Sequence, residues 1–261
     1  MTNSFAAMDS WLPTALCCEY FSAHFDEQRV QVLEADGAVR DEMVTWAVGL
    51  LGDGDWEVLG AWPGVALGPV FWRGVWDELD HRGVERLTLV SASNLDTLTP
   101  CPAAMVLPPF RQMLGEGDVP DASGVAVLRA EARSVVRNAS GARAARIALE
   151  RLLGRSGRGG VAVLSLDWPA VLEQFRAFYA LRPQRRSLVR KGDEVVDHLS
   201  GTLNRAVVRH GAFANAEAAT SFVASTLSRA EQRLKYRDLV ELTSRRHAAG
   251  PAGESFAVRG P

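Results

Sequence analysis

The segment from Trp56 to Leu95 constrains the fold more than any other, because its hydrophobic periodicity changes twice. Residues 56–62 alternate apolar and polar side chains as a half-buried strand does, and a Pro-Gly pair interrupts them. Apolar residues then recur every three or four positions from Val70 to His81, which predicts an amphipathic helix that ends at Gly83. The short apolar run LTLVSA that follows predicts a buried strand ending at a polar loop. The segment therefore predicts a strand, a helix and another strand.

Two more strands are predicted ahead of this segment. Residues 24–35 and 42–51 read as strands, joined at Asp36-Gly37, a dipeptide that favours the positive φ angles of a tight hairpin. Asp53-Gly54 provides a second turn of the same kind. A three-stranded antiparallel meander therefore precedes the helix.

The chain after Leu95 is predicted to be mainly helical. Residues 96–125 are rich in Pro and Gly and have no sustained period, which predicts a loop or linker. Residues 161–166 are compatible with either a short strand or a helical turn. Helices are predicted within residues 126–153 (one or two), from Asp167 as N-cap to Phe178, and over 193–208 and 215–236.

Length and composition favour a soluble globular protein. The 261 residues are 47% hydrophobic, enough for one domain with an insertion or for two small domains. No stretch approaches the roughly 18 consecutive apolar residues that a membrane helix needs. The N-terminus lacks the features of a signal peptide, so we expect a cytoplasmic protein without membrane partners.

The near-neutral net charge of -2 conceals two halves of opposite sign. Residues 1–120 carry 6 basic and 18 acidic side chains, whereas residues 121–261 carry 23 basic and 13 acidic ones. Nearly all of the basic residues are Arg, whose planar guanidinium suits bidentate phosphate contacts. A polyanion partner for the second half is one interpretation. An Arg-rich composition spread over solvated helix faces is the other.

The strand-helix-strand segment resembles the Mutator-type transposases of prokaryotic insertion sequences. The resemblance lies in the strand Glu57-Val58-Leu59-Gly60, the pair Phe71-Trp72, the helix end Leu79-Asp80-His81-Arg82-Gly83-Val84 and the apolar strand Leu87 to Ala92. In that family the last strand delivers a catalytic Asp. Here the corresponding position is Ser93.

A second part of the resemblance runs from Trp168 to Leu227. It comprises Trp168, the aromatic cluster 175–179, Pro183, Arg185-Arg186, the segment 191–197, Gly211-Ala212-Phe213 and Glu217-Ala218-Ala219. Spacing back from Gly211 places Asp197 at the position of the family's catalytic Glu. The Thr-Thr-Asn run that precedes this Glu in the family is absent here.

The resemblance implies an α/β fold with a ribonuclease H-like core: a three-stranded antiparallel meander, a helix and a further strand, with a helical insertion and C-terminal helices. It divides the chain into five parts. These are an N-terminal arm (1–24), the first part of the catalytic domain (25–95), a loop and helical insertion (96–166), the C-terminal helical part of that domain (167–236) and a disordered tail (237–261). The family carries a DNA-binding region before the catalytic domain, so we expect a truncated or degenerate member.

The resemblance also implies DNA strand cleavage and transfer with two divalent cations, Mg²⁺ or Mn²⁺, held by converging carboxylates. It places the catalytic residues at Asp26, Ser93 and Asp197, with Asp26 and Asp197 as metal ligands. Ser93 lacks the charge of a carboxylate, which leaves catalytic competence open. Glu27 and Asp96 are the substitutes at the first two positions, and Glu194 lies one turn before Asp197.

The same residues have ordinary structural interpretations. An acidic residue at the start of a strand is usually solvated, and Ser93 can simply end a strand. Acidic residues at 193, 194 and 197 would also suit the first turn of a helix, where they complement the helix dipole.

DNA, in particular the ends of a mobile element, is the expected partner, and a homo-oligomer is expected by analogy because two DNA ends must be joined. The residues predicted to contact DNA are Arg185, Arg186, Arg190, Lys191, Arg205 and Arg209. The sequence therefore supports a transposase-like protein that is either active or inactive. The alternatives are a non-catalytic DNA-binding protein derived from a transposase, and an unrelated α/β protein.

Overall fold

The predicted meander forms most of one mixed β-sheet. The structure, a computed structural model, describes residues 15–64, 68–93, 98, 101–111, 123–155 and 168–248, with the side chains of 123–126 and 238–248 excepted. Its strands are β1 (Glu19–Leu33), β2 (Val39–Leu50), β3 (Trp56–Pro63), β4 (Arg86–Ser91) and β5 (Met105–Leu107). They lie in the order β3-β2-β1-β4-β5.

Strand direction divides the sheet into two halves. β1, β2 and β3 pair antiparallel, while β4 pairs parallel to β1 and β5 parallel to β4. Gly37 and Gly54 have φ angles of 83° and 91°, so the two predicted turns are confirmed. A parallel pair needs a crossover connection, which the helix between β3 and β4 provides.

Seven helices are present among the described residues. They are α1 (Pro69–His81), α2 (Ser123–Asn138), α3 (Ala142–Arg155), α4 (Trp168–Gln174), α5 (Arg176–Ala180), α6 (Pro183–His210) and α7 (Ala216–Ala248). α1 begins with Pro69 in its first turn and ends before Gly83, whose φ of 102° excludes most other residues. None of the described helices is long and apolar enough to span a bilayer.

Helices cover both faces of the sheet. α1 buries Trp72 and Trp76 against Phe25 of β1 and Trp62 of β3, and the two α1 indoles stack with ring centroids 5.6 Å apart. On the opposite face, α6 and α7 pack their apolar residues against β1, β2 and β3. A further apolar cluster joins β4 and β5 to α2, α3, α4, α5 and the start of α6. The sheet is therefore the middle layer of three.

The structure corrects several boundaries expected from the sequence. β1 begins at Glu19, inside the region read as an arm, and β5 lies within the region read as a loop. α6 begins at Pro183, ten residues before the helix expected from Asp193, and the backbone of α7 continues to Ala248, beyond the expected end at Tyr236. The helix expected up to Phe178 is divided at Phe175. Residues 161–167 lie outside the described residues.

Two of these differences have separate physical causes. Pro183 is favourable in the first turn of a helix, where its missing N–H leaves no hydrogen bond unmade, so it starts α6 and does not merely end the preceding helix. β5 has only three residues, too few for a periodic pattern, and its pairing partners in β4 are distant in sequence.

Candidate functional site

Asp26 is a buried carboxylate in the middle of β1. It is 1% exposed and lies opposite Trp46 of β2. Its Oδ1 forms an ion pair with the guanidinium of Arg111 and accepts a hydrogen bond from the backbone N–H of Glu27. Its Oδ2 is buried without a hydrogen-bond partner in the described part of the chain. The interpretation of Asp26 as a solvated strand residue is therefore wrong.

α6 lies very close to β1 at His24, two residues before Asp26. Gly192 of α6 packs on His24, and a Cβ atom built at Gly192 would lie 2.2 Å from His24 Nε2. Only a glycine allows the helix backbone to approach this closely. His24 is buried, shares a hydrogen bond of 3.0 Å with the Ser22 hydroxyl, and has its pKa lowered to about 4 by burial. The imidazole is therefore neutral near pH 7.

The close approach also buries Asp193, which adjoins Gly192. Asp193 is 6% exposed, and Arg137 of α2 lies 3.3 Å from its Oδ2. The pKa of Asp193 is raised to about 6, mainly by burial and also by the nearby Asp197, while Arg137 and Arg111 oppose the rise. This carboxyl therefore titrates nearer neutrality than an ordinary aspartate.

Asp197 lies one helical turn after Asp193. Its side chain is 46% exposed, and its Oδ2 is 4.0 Å from the same Arg137 nitrogen. Both residues lie in the middle of α6, so the interpretation of these acids as a first helical turn is wrong. Glu194 is exposed on the outer side of α6 and lines a different pocket.

Ser93 is the second residue after β4 and is buried. The last register pair between β1 and β4 is His24 with Ser91, and Asp26 and Ser93 each lie two residues further along. The register therefore places both of these predicted residues at the same end of the neighbouring parallel strands. Asp96, the substitute considered for Ser93, lies outside the described residues.

Arg111 connects the strand end to α6. Besides Asp26, its guanidinium contacts the Ser200 hydroxyl of α6 at 3.3 Å. Arg111 is also one of the residues that line a pocket of about 220 Å³. Its lining comprises Phe110, Arg111, Ala130, Arg133, Ser134, Arg137, Asp193 and Asp197. Asp26 and Asp197 therefore belong to one charged cluster, with Arg111 and Arg137 between the carboxylates.

The cluster as arranged does not fit two divalent cations. The unpartnered Oδ2 of Asp26 would suit a cation, but Oδ1 is held by Arg111, and Arg137 lies against both Asp193 and Asp197. Ser93 contributes no charge at the second position. Within the described ranges, no three His, Cys, Asp or Glu side chains are grouped closely enough to hold a metal ion. No catalytic step through a metal is derived from this arrangement.

The residues predicted to contact DNA all lie on α6, but they have different environments. Arg186 donates hydrogen bonds to the carbonyls of Ala139 and Ser140, at 3.4 and 2.6 Å, and so attaches α6 to the α2–α3 connection. The Arg185 guanidinium lies over the Phe21 ring, 5.7 Å from its centroid. The guanidinium groups of Arg185 and Arg186 therefore both contact other parts of the protein. Arg190 is half-buried and Lys191 is exposed near the turn at Gly54.

Arg205 and Arg209 are different, because they line a basic groove between α6 and α7. The groove has a volume of about 590 Å³, and Arg229 and Arg233 of α7 line its other wall. On each helix the two arginines are four residues apart and therefore share a face. None of these four arginines pairs with a described carboxylate, and no acidic residue is among the described lining residues.

Several residues of these sites were not identified from the sequence. Arg111 and Arg137 stand in segments without a recognisable motif, and only the fold brings them to the carboxylates. Asp193 was read only as part of an acidic helix start. The spacing of Arg229 and Arg233, which repeats that of Arg205 and Arg209, is the signal that could have indicated the second wall of the groove.

Comparison with known proteins bears out the resemblance for the first part of the chain. Residues 4–104 match the sequence model of the family described as "Transposase, Mutator family". The chain is also 35% identical over 83 residues to the transposase for insertion sequence element ISRM3 of Rhizobium meliloti (strain 1021). This alignment covers 32% of the chain and 20% of that relative, so the chain matches about a fifth of the relative's length. The resemblance of residues 168–227 lies outside the family match and stays a prediction.

Proposed function

From the match of residues 4–104 to the Mutator family of transposases, we propose that this chain is a transposase-like protein that acts on DNA. The matched residues include β1 to β4 and therefore contain Asp26 and Ser93. This match is the observation that carries the proposal. It also argues against the interpretation as an unrelated α/β protein.

The proposal includes a ribonuclease H-like core. Three antiparallel strands, a covering helix, a fourth strand parallel to the first and later helices follow one another in the order that this core requires. The proposed site lies where β1 extends past the end of β4 and α6 crosses it. In this proposal Asp26, Ser93 and Asp197 form the site, because strand transfer uses groups that converge from different segments of the chain.

DNA is proposed to bind in the basic groove. Four arginines without described acidic partners line it, and guanidinium groups form strong, charge-assisted hydrogen bonds with phosphate oxygens. Arg205 and Arg209 remain DNA contacts in this proposal. Arg185 and Arg186 have a smaller part because their guanidinium groups contact other elements of the protein. Among the described residues, Arg205 and Arg229 bond only to residues of their own helices.

The test measures binding of a fluorescent DNA duplex across a salt series. Each phosphate contact contributes about 0.9 to the slope of log K against log salt concentration, so replacing Arg205, Arg209, Arg229 and Arg233 by Gln should reduce that slope by about 3 to 4. A control variant with Gln at Arg29, Arg40, Arg86 and Arg176 removes the same charge from exposed ion pairs and should bind nearly as the wild type does. Equal losses in both variants would reject the groove, and absence of salt-dependent binding by the wild type would reject the proposed function.

A further inference from the structure

Arginine side chains pair with the carboxylates of Asp26 on β1 and of Asp193 and Asp197 on α6. We propose that Arg111 and Arg137 take the place of divalent cations in this cluster, so that the folded protein binds such a cation there only when one of these two arginines has been removed. This inference rests on the proposed function for the role of the site. It concerns the cluster alone and makes no use of the basic groove.

The contacts of Arg111 are those that a bound cation would make. Its guanidinium pairs with Asp26 on β1 and also contacts Ser200 on α6, so one positive group links the strand to the helix. The side chain of Asp26 is fully buried and Arg111 is largely so. A buried carboxylate needs a compensating charge, and Arg111 supplies it.

Arg137 has the corresponding role for the acids of α6. One of its nitrogens lies within 4.0 Å of both Asp193 and Asp197, a position between two carboxylates that a bridging cation would take. The two arginines therefore serve three carboxylates. Arg133 also lines the pocket, and its charge would add to the repulsion of any entering cation.

Ser93 also makes the cluster less attractive to a divalent cation. A divalent cation at the end of β4 would gain only a neutral hydroxyl there, so its attraction to the site depends on Asp26 and on the acids of α6. Hard cations prefer several charged oxygen ligands. With Arg111 on Asp26 and Arg137 on the other two carboxylates, little uncompensated negative charge is left for a cation.

The test is a titration with Mn²⁺ alone, in which electron paramagnetic resonance measures the free ion. We expect the wild type to leave the Mn²⁺ signal undiminished and its melting temperature unchanged by the ion. Arg111→Gln should bind Mn²⁺ at least about tenfold more tightly than the wild type. It should also melt at a higher temperature with the ion than without it. Adding Asp26→Asn to Arg111→Gln should abolish the gain.

Arg133→Gln is the matched control, because it removes one positive charge from the same pocket without a described ion pair to the acids. It should gain much less affinity than Arg111→Gln. If Arg111→Gln does not fold, Arg137→Gln decides the question, since Arg137 lies at the partly exposed side of the cluster. Arg137→Gln should bind Mn²⁺ more tightly than the wild type does. Adding Asp197→Asn to Arg137→Gln should abolish this gain.

Wild-type binding of Mn²⁺ that is lost in Asp26→Asn would overturn the inference, and so would a folded Arg111→Gln, or failing that Arg137→Gln, with no gain. DNA binding in the groove is measured separately. Loss of the proposed function therefore appears as absent DNA binding, and loss of the inference as metal binding by the wild type.

Discussion

At the scale of single residues, the most informative feature is the buried polar row on β1. Ser22, His24, Asp26 and Gln28 alternate along the strand, and all four are buried, although such residues are usually found in solvent. The sheet face that they occupy is covered by α6. Each therefore needs a partner inside the protein, as Arg111 is for Asp26.

His24 gives a prediction of pH dependence. Its pKa in the folded protein is about 4, below the ordinary value of 6.5, so the unfolded chain takes up a proton between these values while the folded protein does not. Stability should therefore fall as the pH is lowered from about 6.5 to 4, by roughly 3 kcal/mol for this group alone. His24→Gln should lack this part of the loss in denaturant unfolding measured across the range.

The comparison of variant with wild type is necessary because Asp193 has the opposite effect. Its raised pKa means that the folded protein holds a proton that the unfolded chain releases, so stability from this group falls as the pH rises from about 4 to 6. The exposed His81, replaced by Gln, is the control. If His24→Gln keeps the wild-type pH profile, the buried imidazole is not responsible.

At the scale of elements, the docking of α6 on β1 determines the site. Gly192 is the point of closest approach, and the helix continues from there past Asp193, Asp197 and Ser200. If the helix lay further from the sheet, Asp193 would be exposed and Ser200 would be too far from Arg111 for contact. One small residue therefore sets the spacing of the charged cluster.

Gly192→Ala should destabilise the protein by up to about 2 kcal/mol. The added Cβ would overlap the His24 ring, which costs about 1–3 kcal/mol, and better helix propensity returns about 1 kcal/mol. Gly201→Ala, on the same helix but with only ordinary contacts, is the control and should stabilise slightly. Chemical unfolding measures both.

The same substitution in a His24→Ala background tests the cause. With the ring removed, Gly192→Ala should become neutral or stabilising, giving a coupling free energy of opposite sign to the single-variant loss. Purely additive losses would show that the helix–strand approach does not depend on this contact.

At the scale of the whole molecule, the sheet, α6 and Arg111 together form the proposed site. β1 carries Asp26, Ser93 follows the end of β4, α6 carries Asp197, and the segment after β5 carries Arg111. The basic groove lies further along α6, between that helix and α7. One long helix thus connects the proposed binding surface to the proposed site.

A strand-cleavage and joining assay in Mg²⁺ and in Mn²⁺ tests the whole arrangement. Ser93→Asp supplies the missing carboxylate and Arg111→Gln frees Asp26, so the double variant should cleave at least about tenfold faster than the wild type. Asp197→Ala added to it should abolish the gain. Equal cleavage by wild type and double variant would show that neither residue limits activity, and no cleavage by any of them would leave DNA binding without strand transfer.

The sequence by itself determined the local elements of this protein. Alternation predicted β3, the Asp-Gly pairs predicted both turns and with them the strands β1 and β2, and the spacing of apolar residues predicted α1 within one residue of its start. These features depend on neighbours along the chain, which periodicity reports directly. The family resemblance of the first part also rested on local motifs, and the match of residues 4–104 bears it out.

Only the tertiary structure decided what surrounds the carboxylates. Asp26 is paired by Arg111, Asp193 is buried by the approach of Gly192 to His24, and β5 pairs with a distant strand. Nothing in the residues beside Arg111 indicates its partner, because an ion pair depends on distance in space and on burial, which sequence spacing does not encode. The charge balance of the site, and with it the expected response to metal ions, is therefore a property of the packed fold.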